Sequence, residues 1–135
     1  MDSLSAFLFE NKAKRDNIFV ELSPDFKDDK GNVIKWELRA VSTEEEQEIR
    51  ASSMDYIEGS YRLDTIKYLE RLSARAVVYP NLYDAKLQDS YGVKTPERLL
   101  KALLDKPAYY NRLTAKVQRL NGYSNINEDT LKAKN

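Results

Sequence analysis

The chain has 135 residues, of which 41% are hydrophobic and 33% charged, so it is the size of one domain with enough apolar residues for a core. It has no cysteine and no histidine, which excludes a disulfide framework, thiolate metal sites and catalytic constellations that require either residue. The net charge is zero, and no apolar run approaches the roughly 20 residues of a transmembrane helix.

The first predicted element is a short amphipathic helix over residues 3–11. Asp2 or Ser3 can cap it, and Leu4, Phe7 and Leu8 form an apolar stripe at helical spacing. No basic residues precede this stretch and no small-residue cleavage site follows it, so it does not match a signal peptide.

Residues 17–26 and 33–41 alternate between apolar and polar side chains, which predicts the two arms of a β-hairpin. Gly31 lies in the polar stretch between the arms and can adopt the positive φ of a turn. Pro24 cannot donate to a strand ladder, so we expect the first arm to be an edge strand there.

Helical patterns follow the second arm. Ser42 or Thr43 begins the first helix, with Glu45 or Glu46 closing a capping box, and this helix is expected to end near residue 53. The longest helix is predicted over residues 61–79 and ends before Pro80. A short helix is predicted over residues 84–91 and ends at Gly92. The next helix begins at Thr95-Pro96. The last helix begins at Pro107 and ends at Asn121-Gly122.

These elements predict an α+β fold that is mainly α-helical, with one β-hairpin near the N-terminus followed by a bundle of about four to five helices. We expect a single globular domain over residues 1–122 and a flexible C-terminal tail over residues 123–135.

Three features are candidates for binding a partner, and each has an ordinary structural interpretation. For Trp36, a role as a core anchor is favoured over a role as an interface hot spot. For the leucine stripe from Leu99 to Leu104, internal packing is favoured over a groove that binds a partner helix. For the nine tyrosines, half-buried helix positions and interface positions are equally favoured.

No pattern indicates catalysis. The carboxylate clusters Asp28-Asp29 and Glu44–Glu46 fall on a turn and a helix start, where carboxylates have structural uses. No phosphate-binding loop or metal-ligand spacing occurs, so we expect no enzyme activity and no cofactor.

The charge is unevenly distributed along the chain. Residues 1–59 contain 8 Lys and Arg and 14 Asp and Glu, whereas residues 60–135 contain 14 Lys and Arg and 8 Asp and Glu. Solvated helix faces explain this distribution; the alternative is that acidic and basic halves of neighbouring copies attract each other head to tail. The basic residues are spread out, which argues against nucleic-acid binding.

Several short motifs follow one another along the chain. The N-terminal motifs are Leu-Ser-Ala-Phe-Leu at residues 4–8, Trp-Glu-Leu-Arg at residues 36–39 and an acidic helix start at residues 44–48. The later ones lie at residues 77–82 and 87–93, at Leu99-Leu100 and at Asn121-Gly122. This ordered set resembles phage tail assembly chaperones of the Bacillus prophage (XkdN-like) type. The resemblance spans residues 4 to about 123 and carries no catalytic residues.

The resemblance implies a non-enzymatic protein of the bacterial host cytoplasm that coats the tape measure protein during tail assembly and is absent from the mature particle. Self-association is expected. Many such chaperones are made in two forms by a programmed frameshift, and the polar end after Gly122 matches the expectation for the shorter form. The alternatives are a head–tail connector or tail-terminator component retained in the particle, and a DNA-binding regulator using Arg112, Lys116 and Arg119.

Overall fold

A small antiparallel sheet organises the fold of the computed structural model, which describes residues 3–123. Its strands are β1 (Ile18–Val20), β2 (Trp36–Leu38) and β5 (Val77–Tyr79), with β2 in the centre. Ile18 pairs with Leu38 and Val20 with Trp36, while Leu38 pairs with Val77 and Glu37 with Tyr79. Ile18 and Val77 therefore lie at one end of the sheet, and Val20 and Tyr79 lie at the other.

Five helices and a second pair of strands complete the described part of the chain. The strands β3 (Met54–Ile57) and β4 (Ser60–Leu63) form a two-stranded antiparallel ribbon. The helices are α1 (Thr43–Ser52), α2 (Thr65–Ala76), α3 (Ala85–Ser90), α4 (Pro96–Leu103) and α5 (Pro107–Leu120).

The helix boundaries follow the capping residues of the sequence. Ser42 accepts a hydrogen bond from the Glu45 backbone N–H, and the Glu45 side chain accepts one from the Ser42 N–H, which confirms the predicted capping box. Asp64 and Thr95 cap α2 and α4 in the same manner, with Pro96 in the first turn of α4 as predicted.

The core lies between the inner face of the sheet and helices α2, α4 and α5. The side chains of Trp36 and Leu38 point into it from the central strand, because alternate residues of a strand face the same side. Leu72 of α2 and Leu113 of α5 are completely buried against them. α2 is therefore the central helix, packed against α1, α4 and α5.

The predicted fold class is wrong. The tight hairpin is not near the N-terminus but mid-chain, where Glu58 and Gly59 connect β3 to β4. The two predicted arms are short strands of a sheet completed by β5, which comes from the far side of α2. The fold is thus two small sheets interleaved with helices, because pairing along the open edge of β2 satisfies backbone groups that a lone hairpin would expose.

The predicted helix over residues 61–79 is also wrong at both ends. Residues 61–63 belong to β4, and Val77–Tyr79 form β5. Valine and tyrosine favour strands, and Pro80 disfavours helical geometry at the residue before it. The helix therefore ends at Ala76, and the next three residues pair with β2. The predicted tail over residues 123–135 lies outside the described residues apart from Tyr123.

Candidate functional site

The residues that the sequence offered as partner anchors lie largely in the core. Trp36 is 2% exposed, which confirms it as a core anchor. The leucines at positions 99, 100, 103 and 104 are at most 5% exposed, so the leucine stripe is internal packing. Both features therefore pack the core, and Trp36 and Leu103 also line the groove described below.

The tyrosines divide into two groups. Tyr68, Tyr109 and Tyr110 are partly buried against the core, and burial raises the pKa of Tyr110 to about 12. The others remain substantially exposed: Tyr56, Tyr61, Tyr79, Tyr83, Tyr91 and Tyr123. Exposed tyrosines of this kind are typical of protein interfaces, because the ring buries well while the hydroxyl stays hydrated.

Two of these tyrosines lie on one face of the β3–β4 ribbon. The register pairs Met54 with Leu63 and Tyr56 with Tyr61, so these four side chains share a face that we call the ribbon face. The tyrosine rings meet edge to face with centroids 5.1 Å apart. Tyr56 is 65% and Tyr61 71% exposed, which leaves a contiguous apolar and aromatic surface in solvent.

Local contacts position the ribbon against α1 and α2. The Asp64 N–H donates to the carbonyl of Ser53 at 2.8 Å, and the Arg71 guanidinium donates to the carbonyl of Ser52. On the opposite face of the ribbon, Asp55 forms an ion pair with Lys67 at 3.3 Å. The ribbon is thereby held at its base while none of its residues is buried.

The sequence analysis missed the ribbon, although a signal for it exists. Apolar and polar side chains alternate over residues 54–56 and 60–63, on either side of Glu58-Gly59. Both turn residues adopt positive φ, at 50° and 83°. A two-residue turn of this conformation matches the twist of the flanking strands. The predicted helices instead leave residues 54–60 unassigned and place residues 61–63 in the longest helix.

The N-terminal residues form a second exposed apolar surface. The predicted helix over residues 3–11 is wrong: residues 5–7 and 9–11 form two separate 3₁₀ turns, and neither buries a residue. Phe7 is 84% and Phe9 89% exposed, with Leu4 and Leu8 also in solvent. We call residues 4–9 the arm.

An apolar groove opens beside Pro80, and we call it the Pro80 groove. It has a volume of about 160 Å³ and lies where β5 leaves the sheet and passes α3. Its lining is almost entirely apolar and aromatic: Phe26, Ile34, Trp36, Tyr79, Pro80, Leu87, Tyr91 and Leu103. The peptide bond between Tyr79 and Pro80 is cis.

Acidic and basic residues from the two halves of the chain meet within the fold. The Glu45 carboxylate forms ion pairs with the guanidinium groups of Arg39, at 2.7 Å, and Arg75, at 3.2 Å. The Arg39 hydrogen bonds hold the pKa of Glu45 well below its usual range. Lys67, from the second half, pairs with Asp55 from the first half at 3.3 Å. Part of the charge asymmetry is therefore neutralised inside one copy.

Glu46 is the most buried carboxylate of this region, at 7% exposed. Burial raises its pKa, but hydrogen bonds from Arg50 and from the Tyr68 hydroxyl, which lies 2.8 Å away, outweigh burial, so the net shift is downward. The same contact and burial raise the pKa of Tyr68 above its usual range. The cluster ties α1 to α2.

The structure offers little support for the regulator alternative. The Arg112 guanidinium donates to the carbonyl of Leu22 at 3.0 Å and lies over the Tyr109 ring, so it is engaged within the fold. Across residues 3–123, no group of three or more acidic, histidine or cysteine residues is placed to hold a metal ion. None of the described helices is long and apolar enough to cross a membrane.

The family to which the chain belongs follows from comparison with known proteins. The model of the phage XkdN-like tail assembly chaperone proteins matches residues 4–134, so the chain belongs to this family. Membership confirms the resemblance seen in the motifs. It indicates a role in phage assembly with phage proteins as partners, and it suggests a non-enzymatic role.

Two relatives come from Bacillus subtilis strain 168. One is the uncharacterized protein YqbN and the other is the phage-like element PBSX protein XkdN. Each is 27% identical over 131 residues, which cover 93% of this chain and 88% of the relative. The similarity therefore extends over nearly the whole length of both proteins.

A crystal structure of YqbN has the same fold. The two structures superpose with a TM-score of 0.81 at 22% identity, over 92% of this chain and 99% of YqbN. The likeness supports the interleaved arrangement of sheets and helices described above.

Proposed function

We propose that this chain binds and shields the tape measure protein in the cytoplasm of the bacterial host and leaves before the tail is complete. The observation that carries the proposal is the ribbon face, a contiguous apolar and aromatic surface on a member of the tail assembly chaperone family. A head–tail connector or tail-terminator component is the alternative, and such a protein would stay in the particle.

The chemistry of the ribbon face suits a helical partner. A long amphipathic helix exposes an apolar stripe that promotes aggregation until it is covered. Side chains at helical spacing i, i+3 and i+7 can lie across Met54, Tyr56 and Tyr61, because methionine adapts to irregular surfaces and tyrosine buries its ring without losing the hydration of its hydroxyl. Several copies along the helix would cover the stripe.

Co-expression with the tape measure protein of the same phage tests the proposal. We expect the tape measure protein to be insoluble alone, and to remain soluble and co-purify when this chain is present. The double substitution Tyr56→Thr and Tyr61→Thr should weaken this binding at least about tenfold, because each tyrosine at an interface centre contributes more than about 1 kcal/mol.

A matched control separates loss of the ribbon face from a general effect of removing aromatic residues. Phe19→Thr removes a strand aromatic that is 62% exposed on the other sheet, and it should bind as the wild type does. Equal binding by the ribbon variant and the control would refute the role of the ribbon face. Detection of this chain by mass spectrometry in purified particles would instead favour the connector.

A further inference from the structure

We propose that helix α5 binds an acidic helix of a partner protein along a line of cations, which we call the basic stripe: Lys106, Arg112, Lys116 and Arg119. The partner is defined by its chemistry, a helix that carries about one carboxylate per turn on one face. The basic stripe is separate from the ribbon face and does not require the tape measure protein as its partner. Its test is therefore independent of the proposed function.

The stripe follows from the spacing of the basic residues on α5. At 3.6 residues per turn, Arg112, Lys116 and Arg119 fall within an arc of about 60° on the helix. Lys106 is the N-cap residue, and its ammonium group lies 5.5 Å from the centre of the Tyr109 ring. Residues 106–123 contain these four basic residues and no aspartate or glutamate. One side of α5 is therefore uniformly positive.

The charges of the stripe are less neutralised than other cations of the chain. Lys106, Arg112 and Lys116 form no ion pair with a carboxylate within residues 3–123. Such pairs do engage five other basic residues: Arg39, Arg50, Lys67, Arg75 and Lys101. Like charges four positions apart on a helix repel each other, as at Arg112 and Lys116. An acidic partner would relieve this repulsion.

The helix dipole accounts for only one end of the stripe. Arg119 lies in the last turn of α5, where a cation interacts favourably with the dipole. Lys106 lies at the opposite end, where the dipole disfavours a cation, and its side chain forms no cap hydrogen bond. The first turn of α5 has no acidic residue, whereas that of α1 has three. The stability of the helix therefore does not explain the positive charge along its N-terminal half.

Arg112 is already ordered for binding. Its guanidinium donates to the carbonyl of Leu22 at 3.0 Å and lies 5.6 Å from the centre of the Tyr109 ring. A guanidinium has five N–H donors, so the contact with Leu22 leaves others for a carboxylate. Because the side chain is held in place, binding costs it little conformational entropy.

The spacing of the stripe matches an acidic helix better than a nucleic acid. The axis of α5 rises about 6 Å from Arg112 to Lys116 and about 4.5 Å from Lys116 to Arg119. Carboxylates three or four positions apart on a partner helix have the same spacing, so each can face one cation. Duplex DNA carries one charge about every 1.7 Å, and the Tyr109 ring lies against two cations instead of being open to a base.

Small side chains beside the stripe allow a partner helix to approach. Ala108, Asn111 and Ala115 lie on the adjacent line of α5; the first two are exposed and the third is half-buried. The distance between two packed helices depends on the side chains at their contact, so short side chains permit a close approach. The longer basic side chains can then reach the acidic flank of the partner.

Fluorescence anisotropy with two labelled peptides tests the proposal on the full chain. One peptide is an alanine-based helix with glutamates alternately three and four residues apart, and the other has glutamine at the same positions. At about 50 mM NaCl, we expect the glutamate peptide to bind at least about tenfold more tightly than the glutamine peptide. This preference should disappear in 1 M NaCl, where the screening length is about 3 Å.

A pair of charge-matched variants locates the binding surface. Lys106→Gln combined with Lys116→Gln removes two charges of the stripe, and it should bind the glutamate peptide at least about fourfold more weakly than the wild type. The control combines Lys86→Gln with Lys94→Gln, which removes the same charge from exposed positions outside α5. Its affinity should change by less than about twofold. Circular dichroism should show the same fold in both variants.

Four results would overturn the proposal. Equal binding of the two peptides would show that the stripe does not recognise carboxylates, and equal weakening in the two variants would show a response to net charge alone. Tighter binding of a DNA duplex of about 20 base pairs than of the glutamate peptide would assign the stripe to nucleic acid. Oligomerisation of the wild type that is lost in the stripe variant but kept in the control would assign it to a second copy of this chain.

Discussion

Glu45 shows how one side chain can serve several contacts. Its carboxylate closes the capping box of α1 and accepts hydrogen bonds from the guanidinium groups of Arg39, which directly follows β2, and Arg75, which lies in α2. The residue thus joins two helices and the segment that leaves the central strand. Because it lies at the N-terminus of α1, its negative charge also interacts favourably with the helix dipole.

The stability contributed by Glu45 should depend on pH. Its pKa is lowered in the folded state, so its ion pairs stabilise the fold above the unfolded carboxyl pKa of about 4.3, and this stabilisation is lost as the pH falls through the lower folded value. Glu45→Gln keeps a side chain that can close the capping box but removes the charge. We expect the variant to be less stable at pH 7 by about 1 kcal/mol, with the difference shrinking as the pH falls below 4.

Urea unfolding between pH 7 and pH 2 measures this difference. Glu44→Gln is the matched control, because Glu44 is exposed in the same helical turn, and its stability difference should be smaller at every pH. If the wild type and Glu45→Gln lost stability in parallel over the whole range, the ion pairs of Glu45 would not contribute.

At the level of elements, α3 ends in the manner that its sequence predicts. Gly92 has φ of 66°, its N–H donates to the carbonyl of Asp89, and the Val93 N–H donates to the carbonyl of Gln88. This pair of hydrogen bonds is the Schellman motif expected from Gly92 and Val93. The motif orients α3, which supplies Leu87 and Tyr91 to the Pro80 groove.

Gly92→Ala should destabilise the fold by about 1 kcal/mol, because a residue with a Cβ atom is strained at positive φ. A Cβ atom added at Gly92 would have no neighbouring atom within 4 Å. The expected destabilisation therefore comes from backbone strain and not from a steric clash. Thermal unfolding monitored by circular dichroism measures it. Ser90→Ala, in the last turn of α3, should leave the melting temperature nearly unchanged; an equal shift in both variants would argue against backbone strain at Gly92.

For the whole molecule, the uneven charge distribution predicts self-association that depends on salt. The predicted attraction between acidic and basic halves of neighbouring copies depends on charges that are partly paired within one copy, such as Lys67 with Asp55 and Lys101 with Glu70. A contact built on the remaining exposed charges would be screened by salt.

Sedimentation equilibrium at 50 mM and 1 M NaCl tests this prediction. If acidic and basic halves hold the copies together, the dissociation constant should rise at least about tenfold at 1 M salt, because the screening length of about 3 Å weakens exposed ion pairs. A change of less than about threefold would contradict the acidic-to-basic contact.

The local features of this chain follow from its sequence because they depend on neighbouring residues. The capping box at Ser42, the proline and threonine that begin α4, and the glycine stop after α3 all rest on hydrogen bonds and backbone preferences within a few positions. The family motifs were recognisable for the same reason. The burial of Trp36 followed from the apolar and polar alternation of its strand.

Tertiary structure decided where each strand found its partner and which apolar residues stayed exposed. The segment at Val77–Tyr79 continues a helical pattern in sequence but becomes a strand, because β2 presents an open edge at that place. Residues 4–9 have a helical stripe, yet they form 3₁₀ turns in which no residue is buried. Both outcomes depend on contacts between residues far apart in the chain, which periodicity does not encode.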